Sequence, residues 1–380
     1  MENNGARRNI PIMFLICFLQ GMVFYAFVAT IYRTTYGITL FEISLIEGIN
    51  YALTIALEIP WGILADRIGY KKTMIICEFL YFISKIMFYK ANGFFLFLLE
   101  RIVLAFAFAG LSGVDSSIIY LSDPENDHRN FGFYSSCGTA GMLLASFVFA
   151  VYIKDDLRLS AWLTIFPYGL SFLLTLLLKE VRNTEEKKTE RNVFSLLKEV
   201  FRNRKMLRLL IATALLSETT HLLAVFLNQE KFLEVGLTLS QISYVGILTS
   251  LLDMSSAVSK KASDLLGRNR LAIFILLLEI LSALLIAFSH NVLTVIVSFC
   301  MIDILFGFFM PISSSIQHEN ISSSDRASMI SGNSMLIDMI CVFVITVCGK
   351  IADYDLKLGV LSCAFLLLIA LIEYIRSAKQ

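Results

Sequence analysis

Charged side chains are scarce in this chain. Asp, Glu, Lys and Arg make up 17% of its 380 residues, against about 25% in a water-soluble domain. That is too few to clothe a core in water, and most of the chain is read as lying in lipid. An excess of one sign is missing as well, since the net charge is +1. A nucleic-acid partner would need a concentrated basic face, so none is expected. Metal-ligand spacing is absent too. The 4 histidines stand apart at His128, His221, His290 and His318, and the 7 cysteines sit singly in apolar runs. Hence no metal, no disulfide framework and no cofactor is expected. No phosphate-cradling glycine loop appears, so ATP is not the energy source. An enzyme would need a nucleophile or metal constellation, and a sensor a sizeable soluble domain; neither is found.

What the chain has in quantity is long apolar stretches: 57% of it is hydrophobic and the mean hydropathy is +0.73. A membrane-crossing helix takes about 20 mainly apolar residues. That criterion predicts twelve spans, at 10–31, 41–64, 72–90, 94–120, 132–153, 160–179, 206–230, 239–261, 271–289, 292–317, 327–350 and 356–375. The expected fold is all-α, with twelve transmembrane helices in two pseudo-symmetric six-helix bundles, 1–180 and 206–380. Between them, 181–205 is read as a linker. In it Val193, Phe194, Leu197, Val200 and Phe201 recur at helical spacing, as in a helix lying on the membrane surface. The first apolar run is long and leads straight into further spans, so no cleavable leader is expected. Lys and Arg crowd both ends, the linker and loops such as 65–72 and 260–270, and they thin out in the alternate loops. A positive-inside bias of this kind places both termini in the cytoplasm.

The most specific local feature is a loop written twice. Gly62, Asp66, Arg67, Gly69, Lys71 and Lys72 stand between the second and third spans. A worn copy with Asp264, Gly267, Arg268 and Arg270 stands half a chain later, between the eighth and ninth. Glycine gives the turn its backbone freedom, and the cations suit the cytoplasmic surface. Two more landmarks repeat at the same spacing. Asp127-His128-Arg129 recurs as Ser324-Asp325-Arg326, and Ser116-Ser117-Ile118 recurs as Ser314-Ser315-Ile316. Six spans per repeat is an even number, so the halves are expected to run parallel, about an axis along the membrane normal.

With these residues the chain resembles the major facilitator superfamily, and in particular its bacterial drug-efflux members. The resemblance covers the whole chain through topology, with residues 62–72 as its most specific motif. It implies that Asp66 pairs near the start of span eleven, with Arg67 and Arg129 in the same charge cluster, as a latch for one state. Glu58, before Pro60, belongs with that gate. Arg101 matches the arginine of a second family motif, although Ala105 stands where a glycine is usual. A third motif, a Gly-Pro pair in span five of proton-coupled exporters, is not matched: that span has Gly138 and Gly141 and no proline.

Ionisable groups inside a bilayer are costly and therefore informative. The resemblance implies that spans one, four, seven and ten line a central cavity. There the chain places Gln20, Asp115, Glu218 and Asp303. Glu218 and His221 are three apart and share a helix face, which suits a proton relay, a cation site or a packing pair. Asp115 and Arg101, fourteen apart, return to nearly one face. Asp253 and Asp338 are read as hydrogen-bonded structural groups, and Glu78 with Lys85 as a structural ion pair. Phe24, Tyr25, Tyr32 and Phe226 are among the aromatics that could wall an apolar cavity. The expectation is a secondary active transporter of the inner membrane working by alternating access. Its partners are a small-molecule substrate, a coupling ion (a proton) and the lipid bilayer, and it is expected to be a monomer. Proton-coupled efflux of an amphipathic or cationic compound comes first; import of a small metabolite by symport is the alternative.

Overall fold

Several long helices begin at a residue with a physical reason to do so, a positive-φ glycine or a capping Asp. The computed structural model describes residues 6–181, 201–253, 259–319 and 326–379. Most of the expected surface helix, including Val193, Phe194, Leu197 and Val200, lies outside the described residues, as do Ser324 and Asp325. The side chains of Asp127, His128, Asp253, Lys260 and Arg326 do so as well.

The first half of the chain runs α1 (Asn9–Gly21), a 3-10 turn, α2 (Ala29–Thr35), α3 (Leu40–Ile68), α4 (Tyr70–Lys90), α5 (Phe94–Leu111) and α6 (Val114–Ser122). It continues with α7 (Asp127–Val148) and α8 (Leu157–Thr175). The second half runs α9 (Arg204–His221), α10 (Asn228–Glu234), α11 (Leu239–Asp253), α12 (Ser259–Leu266), α13 (Arg268–Phe288), α14 (Val292–Glu319), α15 (Arg326–Tyr354) and α16 (Leu356–Ala378). The described residues contain no strand.

Among the described residues, ten helical runs are long and apolar enough to cross a membrane. Two of the twelve expected spans fall short of that measure. Helix α4 has the length but carries Lys71, Lys72, Glu78, Lys85 and Lys90, and α11 is apolar only over a short stretch, Leu239–Leu252. Phe95, Leu293 and Phe343 are largely exposed. In water that would be a defect; on a membrane span it is the surface that meets lipid.

The contacts divide the chain into two units. One comprises Met1–Ile38, Ile49–Glu186 and Leu239–Ile247; the other comprises Thr39–Gly48, Lys187–Thr238 and Leu248–Gln380. In the first, α1 packs on α7 so closely that a Cβ on Gly141 would stand 2.0 Å from the Phe18 carbonyl oxygen. Where lipid removes the hydrophobic drive between helices, small residues allow this backbone approach and the dispersion it brings. In the second unit α16 packs along both α9 and α13.

Among the described residues, two of the predicted spans are interrupted. Span one breaks after Gly21, which frees backbone groups that lipid cannot satisfy. Helix α8 supplies partners: Thr164 Oγ1 accepts from the Phe24 N–H at 3.1 Å, and the Tyr168 hydroxyl donates to the Gln20 carbonyl at 2.6 Å. Span four breaks at Gly113, whose φ of 80° lies in the left-handed region open to glycine. Span seven does not break at the corresponding place; it widens into a π-turn over Leu222–Leu227. Such widened turns inside helices are frequent at functional sites.

The duplicated loop recurs in backbone geometry. Gly69 precedes α4 with φ 97°, and Gly267 precedes α13 with φ 81°. The caps recur as well: Asp156 accepts from the Leu159 N–H at 2.9 Å, and Asp355 from the Leu358 N–H at 2.8 Å. A side-chain acceptor there satisfies an N–H that has no partner inside the helix.

Candidate functional site

In the first unit the polar interior gathers around the break in span one. Gln20, at the end of α1, donates its side-chain amide to Glu78 Oε1. The Ser171 hydroxyl donates to Glu78 Oε2 at 2.8 Å. Both oxygens of this fully buried carboxylate are therefore met. The expected Glu78–Lys85 ion pair does not form. Lys85 instead stands over the Tyr168 and Tyr81 rings at 4.7 and 4.9 Å and over the Tyr25 ring at 5.9 Å. Tyrosine faces carry the negative end of the ring quadrupole, which receives a desolvated ammonium. The residues are on one face as the spacing implies, but neighbouring helices offer each a nearer partner.

Asp115 lies in the first turn of α6 because the chain restarts its helix at Gly113. Its Oδ1 accepts from the Ser116 N–H at 2.6 Å, and the Tyr134 hydroxyl of α7 donates to Oδ2 at 3.2 Å. A carboxylate at a helix N-terminus meets unpaired N–H groups and the positive end of the dipole. The break also resets the helical phase, so the fourteen-residue spacing no longer relates Asp115 to Arg101. Arg101 Nε stands 3.7 Å from Glu100 on its own helix, and that carboxylate is 2% exposed.

In the second unit Glu218 and His221 meet on α9, one turn before the π-turn. His221 Nδ1 and Glu218 Oε1 are 3.4 Å apart, with the carboxylate 3% and the imidazole 33% exposed. Phe226 packs edge-on against the imidazole, with centroids 5.2 Å apart. One partner is thus sealed in protein while the other keeps an open edge. Asp303 is half-buried on α14. Phe24, Tyr25, Tyr32 and Phe226 are all buried, and Tyr25 stacks on Phe88 at 4.2 Å.

The gate candidates lie on helices beside the turns rather than in an open loop, since α3 runs on to Ile68 and α12 to Leu266. Glu58, Gly62, Asp66, Arg67, Lys72, Arg129 and Asp264 are exposed. The partner expected for Asp66 belongs near the start of span eleven, which follows 320–325; those residues lie outside the described ones. Within the first unit, Lys71 donates its backbone N–H to Glu180 at 3.2 Å and its ammonium to the Leu176 carbonyl at 3.0 Å. Asp123, between spans four and five, collects Asn126, Asn130 and the Arg7 guanidinium, the last at 3.3 Å. Burial acts to raise the Asp123 carboxyl, but those hydrogen bonds and the Arg7 and Arg129 charges outweigh it and hold it below its ordinary value. In the second unit Arg268 donates to Glu319 at 2.5 Å. Asp264 and Arg268 share a depression of about 640 Å³ with Ser259, Ser263, Pro311, Ile312 and Ser315.

Sequence reasoning passed over Glu100 and Glu279, although the rule that flags charges inside spans applies to both. It also missed Tyr134, which has no charge to flag, and Glu180, which was placed at the edge of the linker. No group of three metal-ligating side chains gathers among the described residues.

Residues 10–259 match the sequence profile described as Major Facilitator Superfamily. An uncharacterized MFS-type transporter of Methanocaldococcus jannaschii is 32% identical over 147 residues, which is 37% of this chain and 37% of that protein's length. Among solved structures, the nucleoside transporter NupG is similar with a TM-score of 0.83 and 16% identity, over 98% of this chain and 99% of that one. A bacterial homolog of the human lysosomal transporter Spinster is similar with a TM-score of 0.77 and 16% identity, over 99% and 97%. At such identities the likeness is one of fold.

Proposed function

The chain belongs to the Major Facilitator Superfamily, and on that premise we propose that it is a proton-coupled secondary transporter exporting a small amphipathic or cationic compound. It is a multi-pass membrane protein whose family moves small molecules. We take twelve spans, halves at 1–180 and 206–380, both termini in the cytoplasm, a place in the inner membrane and a monomeric state as parts of the same proposal. Coupling works by alternating access, with the free energy of proton entry driving the solute outward.

The observation that carries this reading is the Glu218–His221 pair, a sealed carboxylate 3.4 Å from an imidazole with an exposed edge. Histidine changes charge within the neutral range, and a neighbouring carboxylate decides what each proton costs. A proton taken by His221 leaves an ion pair with Glu218. A second proton, or a cationic solute at the imidazole's open edge, competes for the same carboxylate. Asp115, met by Tyr134 and the α6 N-terminus, serves as the first-half proton group. Gln20, bonded to Glu78, and Arg101, beside Glu100, serve as further polar groups of the same half, and Asp303 contacts substrate or proton. Residues 62–72, with Glu58 and Arg129, and the copy at Asp264, Gly267 and Arg268, form the conformational gate.

The test is a purified reconstitution with an internal pH dye. Adding tetraphenylphosphonium outside the vesicles should draw protons out of them and turn the interior alkaline, and Glu218→Gln or His221→Gln should abolish that change while Asp353→Asn should not. If neither lipophilic cations nor neutral metabolites move protons through the wild-type protein, the reading fails. The proline-free span five favours a second reading, import by symport. Because two of the similar solved structures are of a nucleoside transporter, uridine belongs in the panel. Uridine and protons entering together would replace export with import.

A further inference from the structure

One carboxylate takes no part in the arrangement above. Glu279 lies halfway along α13, is 0% exposed, and has no hydrogen-bond partner at either Oε1 or Oε2. Around it the helix buries Ile275, Leu276, Ser282, Ala283 and Ile286. Three other buried carboxylates are met: Glu78 by Gln20 and Ser171, Glu218 by His221, Glu100 by Arg101. An ionised carboxylate cannot be left uncompensated in a dry, low-dielectric site, whereas a neutral acid there forgoes only a hydrogen bond. A metal cation would need several oxygen ligands converging on it, and among the described residues no group of three or more His, Cys, Asp or Glu side chains converges that could hold one.

The surroundings point to one exchange partner. Helices α12, α14 and α16 pack against α13. From α14 the charge that reaches Glu279 is that of Asp303. The buried face of α16 offers Cys363 and, near its end, Tyr374. Helix α12 carries Lys261 and Asp264, but it joins α13 at Arg268, roughly 16 Å along the axis from Glu279.

We propose that Glu279 is a proton-binding site that carries its proton in the conformation seen here and delivers it to Asp303 during the transport cycle. The O–H bond at Glu279 breaks, its electron pair stays on that carboxylate, and the proton bonds to a carboxylate oxygen of Asp303. No electrons change hands. This deepens the proton-coupled reading and rests on it.

Infrared spectra of the full chain in lipid nanodiscs at neutral pH test the site without any substrate. The carbonyl-stretch band of a neutral carboxylic acid should be present, lost in Glu279→Gln and kept in Asp353→Asn. In proteoliposomes, Glu279→Gln should reduce pH-gradient-driven movement of tetraphenylphosphonium to the level of empty vesicles while exchange of labelled for unlabelled tetraphenylphosphonium continues. A band unchanged in Glu279→Gln overturns the proposal, as does a band that responds to added sodium or potassium. Gradient-driven movement retained in Glu279→Gln also overturns it. If Glu279→Gln does not insert, Glu279→Asp is read instead: a displaced band supports the site and an unchanged one refutes it. Wild-type vesicles that move no protons at all, with the band intact, would defeat the transport reading rather than the assignment of the proton to Glu279.

Discussion

Glu180 closes the turn that Gly69 opens. The Lys71 N–H at the start of α4 donates to its carboxylate at 3.2 Å, and a Cβ built on Gly69 would stand 2.6 Å from Glu180 Oε2. Gly69 itself has φ 97° and ψ 153°, a region that side chains other than hydrogen do not tolerate. Gly69→Ala should therefore cost about 1–3 kcal/mol from the backbone alone, with displacement of the capping carboxylate added. Gly267→Ala shares the strain, at φ 81°, but meets nothing within 4 Å, so its loss should be the smaller. Gly62, at the head of the same loop motif, lies inside helix α3 with open space around it. Gly62→Ala should be neutral or stabilise by roughly 0.5–1 kcal/mol. Thermal melts of the three variants in detergent give the order, and a Gly62→Ala loss as large as that of Gly69→Ala would refute it.

Acid should weaken the first unit through Asp123. Its carboxyl is held below the ordinary value, so the native state favours the ionised form more than the unfolded chain does. That contribution is complete above the unfolded value and disappears as pH falls through the lowered native value. The wild-type melting temperature should drop on the acid side of the ordinary aspartate range, and Asp123→Asn should flatten that limb while lowering the neutral plateau. Parallel acid limbs for wild type and variant would exclude Asp123 as the source.

These groups mark what can be read from a linear chain and what cannot. The turns at Gly69 and Gly267 were legible because turn chemistry is local, although the acid and the residues before each glycine prolong a helix instead of forming a loop. Most helix limits were legible for the same reason, since hydropathy is a running average. The break at Gly113 was not. One glycine in an apolar run is compatible with a straight helix, and only the φ it adopts shows otherwise. That one dihedral undid the phase argument joining Asp115 to Arg101. The Glu78–Lys85 pair failed differently: spacing on a face says which residues could meet, while Gln20, Ser171 and the tyrosines arrive from distant parts of the chain. Glu279 needed no tertiary knowledge, only even application of the rule that a charge inside a span demands a reason.

The Tyr134–Asp115 contact should matter energetically out of proportion to its size. The hydroxyl donates at 3.2 Å to a carboxylate inside the protein, beside the Ser116 N–H. Tyr134→Phe keeps the ring and removes the donor, which should destabilise by about 1.5–3 kcal/mol if Asp115 is ionised, the usual range for a hydrogen bond to a charge. In Asp115→Asn the amide can still accept from the hydroxyl, so adding Tyr134→Phe should then cost only about 0.5–1.5 kcal/mol. A double-mutant cycle on melting free energies measures the difference, and strict additivity would mean that the two side chains do not interact.

Lys85 gives the opposite expectation. It is almost fully covered, with tyrosine faces at 4.7–5.9 Å and the Tyr25 hydroxyl at 3.4 Å around its ammonium. Such a cation gains from the rings by about 2 kcal/mol when desolvated, yet the cost of taking it out of water is several kcal/mol. The second term is the larger, so Lys85→Met, which keeps the length of the stem, should leave stability unchanged or raise it. Tyr168→Phe should instead lower stability, because it strips the donor from the Gln20 carbonyl at the break in span one. If Lys85→Met unfolds the protein while Tyr168→Phe does not, the cage rather than the backbone repair holds this region together.

Arg268 and Glu319 separate stability from transport. Their contact is short, 2.5 Å, but the side chains are 37% and 54% exposed, and an exposed ion pair of this kind is worth about 0–1 kcal/mol. Arg268→Ala and Glu319→Ala should therefore melt within about 1 kcal/mol of wild type. If the duplicated loop gates the cycle, both should nevertheless slow solute movement, and the reversed pair Arg268→Glu with Glu319→Arg should recover part of the rate. Raised salt should mimic the single variants, since screening acts on surface pairs first. A rate that follows melting temperature across this set would assign the pair to folding and remove it from the gate.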